Sequence, residues 1–181
     1  MSDPVEATTF RETMRRLPSP VVVVTMTDGE EVRGITIGSF TSVSLNPPLI
    51  SFNVTKTAES HRILQETDRF VVHILGEKQV HLAKHFAKPH LSGVEQFEDV
   101  PHEVSEYGIP VLDDATSVMY CERHSFLPAA DHSLVLGVVT AIQDNEDDGA
   151  VLYYQSGYRS VGSELRSSLL PPVNSSASES S

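Results

Sequence analysis

Between residues 34 and 48 the chain reads Gly34-Ile35-Thr36-Ile37-Gly38-Ser39-Phe40-Thr41-Ser42-Val43-Ser44-Leu45-Asn46-Pro47-Pro48. Hydroxyls at 36, 39, 41, 42 and 44 sit among apolar residues, and glycines at 34 and 38 let another group come close to the backbone. Short donors along one strand and turn suit the polar edge of a flat heterocycle. An edge strand whose serines face water has the same composition. Further on, Thr57 to His61 opens a helical stretch; free N–H groups there could hold an anion, or form an ordinary helix cap. His132, in Asp131-His132-Ser133, could donate to a ligand or bond a neighbour at a strand start. Other combinations carry less. His81 and His85 have the i, i+4 spacing of metal ligands, but no Glu follows His81 and no third ligand stands out, so no metal is expected. Ser125 or Ser133 beside His132 lacks a nucleophile-elbow motif. Cys121 reads as a packed strand thiol. No GxGxxG opens a helix, which excludes the dinucleotide fingerprint.

The elements that must position these groups are mostly strands. A helix is predicted over residues 1 to 17, capped by Asp3 with Glu6 and with Phe10, Met14 and Leu17 on one face. Val21 to Thr27 and Glu31 to Ile37 form a hairpin through a two-residue turn at Asp28-Gly29. Ser39 to Leu45 and Leu49 to Val54 follow, separated by the Asn46-Pro47-Pro48 turn. A helix over Thr57 to Glu66 points Ile63 and Leu64 inward. Then come a strand at Phe70 to Leu75, a helix at Lys78 to Phe86 and a polar loop over 88 to 110. Strands are expected at 115 to 125, 133 to 144 and 150 to 155, and a short helix at 159 to 166. Strands outnumber helices and are hairpin-linked, so the fold class is mainly β, an antiparallel barrel with a few peripheral helices. Residues 1–166 form one domain and 167–181 a disordered Ser-rich tail.

Composition narrows the partners. At 181 residues with 39% hydrophobic and 21% charged residues, the chain can bury one ordinary core. Thirteen Lys plus Arg against 25 Asp plus Glu leave a formal charge of −12, unsuited to nucleic acid or anionic lipid. A phosphate group must then be held locally. No apolar run is long enough to span a bilayer, the N-terminus lacks the pattern of a signal peptide, and one cysteine cannot form an internal disulfide. The expected location is the cytoplasm.

The run GITIGSFTSVSLNPPLISFNV closely resembles the signature of the short-chain flavin reductases, the reductase partners of two-component flavin monooxygenases. Phe10-Arg11, the Val-rich strand ending at Thr25, Phe70 to Leu75, His85-Phe86-Ala87, Asp131-His132-Ser133 and Tyr153-Tyr154 with Gly157-Tyr158 follow in that family's order. The resemblance covers about residues 8 to 162. It implies a Greek-key split β-barrel that binds FMN or FAD, with NADH or NADPH as hydride donor. Ring and ribityl contacts carry over to Thr36, Ile37, Gly38, Ser39, Ser42 and Ser44, and phosphate contacts to Asn53, Lys56, Thr57, Ser60 and His61. The family often has Ser and Arg where this chain has Ala58 and Glu59, so the phosphate grip differs. Phe86 shapes the cavity wall. His132 is the catalytic histidine beside the nicotinamide, with Tyr154 and Tyr158 lining the substrate side. The resemblance further implies a homodimer and a partner oxygenase that receives reduced flavin. A flavin-binding sensor or carrier without turnover, or an FMN-retaining reductase of another acceptor, fits the same motifs.

Overall fold

The computed structural model describes residues 3–113, 115–145 and 148–164; the predicted tail at 167–181 and the end of the predicted last helix lie outside them. The chain opens with α1 (Ala7–Met14), whose N-cap is Glu6 and not Asp3, with no side-chain cap. Next come β1 (Ser19–Pro20), β2 (Val22–Thr27), β3 (Val32–Ile37), β4 (Thr41–Leu45) and β5 (Pro48–Thr55). The helix α2 (Glu59–Glu66), β6 (Arg69–Ile74), α3 (Val80–Phe86) and α4 (Gly93–Phe97) follow, α3 preceded by a 3-10 turn. The last strands are β7 (His102–Val104), β8 (Pro110–Leu112), β9 (Ser117–Ala129), β10 (His132–Asp144), β11 (Val151–Tyr154) and β12 (Gly157–Ser160).

Seven strands form one antiparallel sheet in the order β3-β2-β6-β9-β10-β5-β4. The neighbours β2/β6 and β10/β5 are far apart in sequence, as Greek-key connections require. The sheet curls until its ends meet: β3 approaches β5, and the Asn53 N–H donates to Ser39 Oγ at 2.9 Å. The predicted mainly-β antiparallel barrel is therefore the fold.

β2 explains how the barrel is held, because all six of its residues are buried. Its even-numbered residues Val22, Val24 and Met26 pack with Phe52, Phe70, Val72, Val135 and the α2 residues Ile63 and Leu64. Its odd-numbered face joins Leu82, Ala83 and Phe86 of α3 and Phe97 of α4. One strand of alternating side chains thus serves two cores. The β1-β11-β12 sheet lies beside the second core, to which Val151 and Tyr158 contribute.

Four details differ from the sequence reading. The β2–β3 connection spans residues 28–31, since Thr27 pairs with Val32, and Asp28 Oδ1 accepts from the Glu30 and Glu31 N–H groups. The carboxylate ties a longer loop in place of the tight turn. The polar 88–110 loop contains α4 and β7 and starts β8; α4 opens on a Ser92/Glu95 capping box. Residues 157–160 form β12 instead of a helix, paired with β11 through Gln155 and Ser156, both at positive φ. Those residue types do not advertise a hairpin turn, so the signal was missed. Finally, α1 buries nothing, and Phe10, Met14 and Leu17 are exposed.

Candidate active site

The two longest strands, β9 and β10, turn at Ala130 (φ 51°) and Asp131, so His132 is the first residue of β10. There it pairs with Thr55 at the end of β5, and the Lys56 N–H donates to the Asp131 carbonyl at 3.0 Å. Residues 131–133 and 55–57, more than seventy positions apart, are thereby fixed side by side. His132 Nδ1 lies 2.8 Å from Asp131 Oδ1, leaving Nε2 free to face a ligand, with the side chain 45% exposed. The Asp131 carboxyl is held below the usual range by that hydrogen bond, then by the charges of His132 and Lys56.

Ser133 is used differently. Its buried hydroxyl lies 2.9 Å from His61 Nε2, and the His61 ring stands edge-on to Phe126. Burial, then the Lys56 charge, lowers the His61 pKa and favours the neutral ring. Ser133 therefore makes no pair with His132, and Ser125 bonds His124 instead.

Beside this corner lies an edge rich in unsatisfied donors. The N–H groups of Thr57, Glu59 and Ser60 have no main-chain acceptor among the described residues. Thr55 and Thr57 share a hydroxyl contact at 3.3 Å, and the Lys56 ammonium has no ion pair among the described residues. Glu59 does not face this edge alone: its carboxylate accepts from Arg62 Nε at 2.6 Å.

The hydroxyl-rich run forms the other wall. Gly38, Ser39, Thr41 and Ser42 are exposed at the corner where β3 passes into β4, the outermost strand of the seven-stranded sheet. A register shift between Ser42 and Ser44 bulges that edge. Ser39 Oγ accepts from Asn53, and Ser44 Oγ from Asn46, so both hydroxyl protons can still be donated outward. Thr36 is committed: its hydroxyl donates to the Ala83 carbonyl at 2.7 Å. Gly34 is small for an internal reason, since a Cβ there would sit 2.4 Å from the Phe86 ring. Phe86 is buried in the second core and stiffens the wall from behind.

Tyr158 does not share a face with Tyr154. Its ring stands edge-on to Tyr153, its cross-strand partner, with centroids 5.2 Å apart, and strand alternation turns Tyr154 the other way. Sequence reasoning named Tyr154, whereas the cross-strand neighbour of Tyr158 is Tyr153. Tyr153 and Tyr158 border an open cavity of about 610 Å³, with Lys84 and Arg159 also on its rim. His81 and His85 are bonded to the main chain, Nδ1 of His81 at the Lys78 carbonyl and Nε2 of His85 at the Gln96 carbonyl. Cys121 is buried, which pushes its thiol up to about 12.

The curled antiparallel barrel thus brings a polar edge, the start of α2 and the His132 corner next to one another. The NADH:FAD oxidoreductase of Streptomyces globisporus, solved with NAD and FAD fragments, superposes with a TM-score of 0.81 at 33% identity, covering 90% of this chain and 96% of that one. The chain belongs to the flavin reductase like domain family, which matches residues 14–162. It is 40% identical over 154 residues to an NADH:FMN oxidoreductase of Rhodococcus qingshengii, covering 82% of this chain and 79% of the relative. It is 33% identical over 150 residues to the reductase component of 4-hydroxyphenylacetate 3-monooxygenase of Thermus thermophilus, covering 83% and 93%.

Proposed function

We propose that this protein transfers a hydride from NADH or NADPH to FMN or FAD at the junction of the Gly38–Ser44 edge with the His132 corner, and supplies the reduced flavin to a partner oxygenase. The protein is an NAD(P)H-dependent flavin reductase by family. The observation that carries the location is the lateral pairing of the Asp131–His132 turn with Thr55–Lys56. Bound flavin supplies a two-electron acceptor for the hydride.

The residues present fit that group. Lys56, with no ion pair among the described residues, the hydroxyl of Thr57 and the N–H groups at the start of α2 that lack a main-chain acceptor among those residues suit a phosphate dianion. Ser60 and His61 stand behind them, and Asn53 fixes Ser39. Ile37, Gly38, Ser39, Ser42 and Ser44 offer donors to the pyrimidine side of the ring, where negative charge develops on reduction. Thr36 contributes main chain, its hydroxyl proton being spent on Ala83. Phe86, buried in the second core, backs the wall at Gly34. His132, oriented by Asp131, positions the nicotinamide through Nε2; the step needs stacking geometry more than a strong acid. Tyr158, with Tyr153 in place of Tyr154, serves the nucleotide.

A homodimer completes the site. Val43 and Leu45 on β4 and Leu127 near the β9–β10 turn are exposed apolar residues flanking it, Leu45 at 90%. Among the described residues no helix is long and apolar enough to cross a membrane. The need for reduced nicotinamide sets the protein in the cytoplasm.

The test uses protein stripped of flavin. Oxidation of NADH or NADPH is followed with FMN, FAD or neither added. Turnover that saturates with added flavin is the expected result, and it identifies the preferred pair. Flavin binding with no nicotinamide oxidation would instead make the protein a carrier or sensor. Turnover of a retained flavin with an organic acceptor would make the flavin prosthetic.

A further inference from the structure

Arg62 lies one helical turn beyond the start of α2 and touches four carboxylates. Its Nε bonds Glu59 at 2.6 Å, its Nη1 bonds Asp28 at 2.8 Å and Glu66 at 3.0 Å, and its Nη2 bonds Glu31. One guanidinium thus answers four negative groups contributed by α2 and the 28–31 loop. Glu59 is the first residue of α2, so its carboxylate belongs to the turn whose free N–H groups face the Lys56 edge. A flexible Glu there would swing between those N–H groups and solvent, because carboxylates favour helix N-termini. The Arg62 fork instead draws it sideways, toward the β2–β3 loop.

We infer that Arg62 is a positioning residue for flavin phosphate: by holding the Glu59 carboxylate aside, it keeps the helix start open to a phosphate dianion. The inference rests on the reading that α2 and Lys56 receive that phosphate. It explains how a chain with Glu at this position can still present an anion site. Lys56, whose charge is felt at Asp131 and His61, supplies the attraction; Arg62 turns the Glu59 carboxylate toward the β2–β3 loop.

The test compares dissociation constants of FMN and riboflavin, which differ only in the phosphate, by flavin fluorescence quenching with the flavin-free full chain. Arg62→Gln is expected to weaken FMN on the order of fivefold to tenfold, the cost of an uncompensated charge near a dianion in a solvated site, and to leave riboflavin within about twofold. Adding Glu59→Gln to that variant restores FMN binding to within about twofold of the parent, and Arg62→Lys falls between. Raising ionic strength shrinks the Arg62→Gln effect. Equal weakening of both flavins, or no rescue by Glu59→Gln, overturns the inference and leaves Arg62 a purely structural hub. If Arg62→Gln does not fold, Arg62→Lys decides by the same FMN-against-riboflavin comparison. A parent protein that binds riboflavin as tightly as FMN overturns the phosphate reading itself, a failure visible before any variant is made.

Discussion

At the residue scale the site depends on two side chains with separable duties. In the proposed site His132 presents Nε2 to the nicotinamide, so His132→Ala is expected to lower kcat/KM for reduced nicotinamide by about a hundredfold, the cost of misplacing a hydride donor. Flavin affinity should stay within about twofold, and steady-state kinetics beside a fluorescence titration check the split. Comparable loss of flavin binding would mean that His132 holds the flavin and not the nucleotide. Lys56 carries no competing ion pair among the described residues, so Lys56→Gln should weaken FMN by about tenfold, the scale of one charge-assisted hydrogen bond. Riboflavin binding should not change. Gly34 shows how a functional motif also encodes packing. Gly34→Ala drives a methyl into the Phe86 ring and should cost about 1–3 kcal/mol, measured by denaturant unfolding.

At the scale of elements, the β7–β8 hairpin is clipped to the large sheet by His73 and by the Thr25 hydroxyl, which donates to the Pro110 carbonyl at 2.6 Å. The buried His73 ring donates from Nδ1 to the Val23 carbonyl at 3.1 Å and accepts at Nε2 from the Leu112 N–H at 3.0 Å, which fixes the neutral tautomer. Burial pulls its pKa down from 6.5 to about 4, against the raising effect of the Val23 bond. The sign follows from proton uptake. Above pH 6.5 the ring is neutral folded or unfolded, and its full contribution is present. Between 6.5 and about 4 the unfolded chain takes a proton that the folded one refuses, so stability falls as pH falls. Across that window the loss is about 3 kcal/mol, and His73→Gln should flatten this part of a stability-versus-pH curve. An unchanged curve would mean that the ring ionises in place. α4 packs closely on β3: a Cβ at Gly93 would lie 1.9 Å from the Val32 carbonyl oxygen, so Gly93→Ala should displace α4 from β3.

For the whole molecule, the surface left over by folding carries the prediction. Phe10, Met14 and Leu17 on and after α1, and Val43 and Leu45 on the β4 edge, are apolar and exposed, while the chain carries a formal charge of −12. Single exposed apolar residues are ordinary, but an open edge strand bearing them beside a ligand site invites a partner. Sedimentation equilibrium should give twice the chain mass of 19.8 kDa, and Leu45→Glu should shift the protein toward monomer with weaker flavin binding. A monomer with full activity would show that the site is complete within one chain.

By itself the sequence determined the barrel class, and its resemblance to a family named the residues of the proposed site. The Val-rich run over Val21 to Thr27, the paired prolines at 47 and 48 and the hydroxyl run are local signals that survive in any fold built from them. It also gave α2 its inward Ile63 and Leu64, both fully buried. The Ser92/Glu95 capping box was equally legible, yet a five-residue helix inside a polar loop gives too short a period to register. Tertiary structure alone decided the rest. That Asp131 and His132 lie against Thr55 and Lys56 depends on strand register set by the whole sheet. That Tyr158 faces Tyr153 depends on a turn whose residues adopt positive φ only because β11 and β12 pair. That Glu59 is turned aside depends on Arg62 reaching Asp28 and Glu31, on a loop about thirty residues earlier in the chain. Local chemistry is written in neighbouring residues, whereas juxtaposition is fixed by pairings between distant ones, whose register one segment cannot specify.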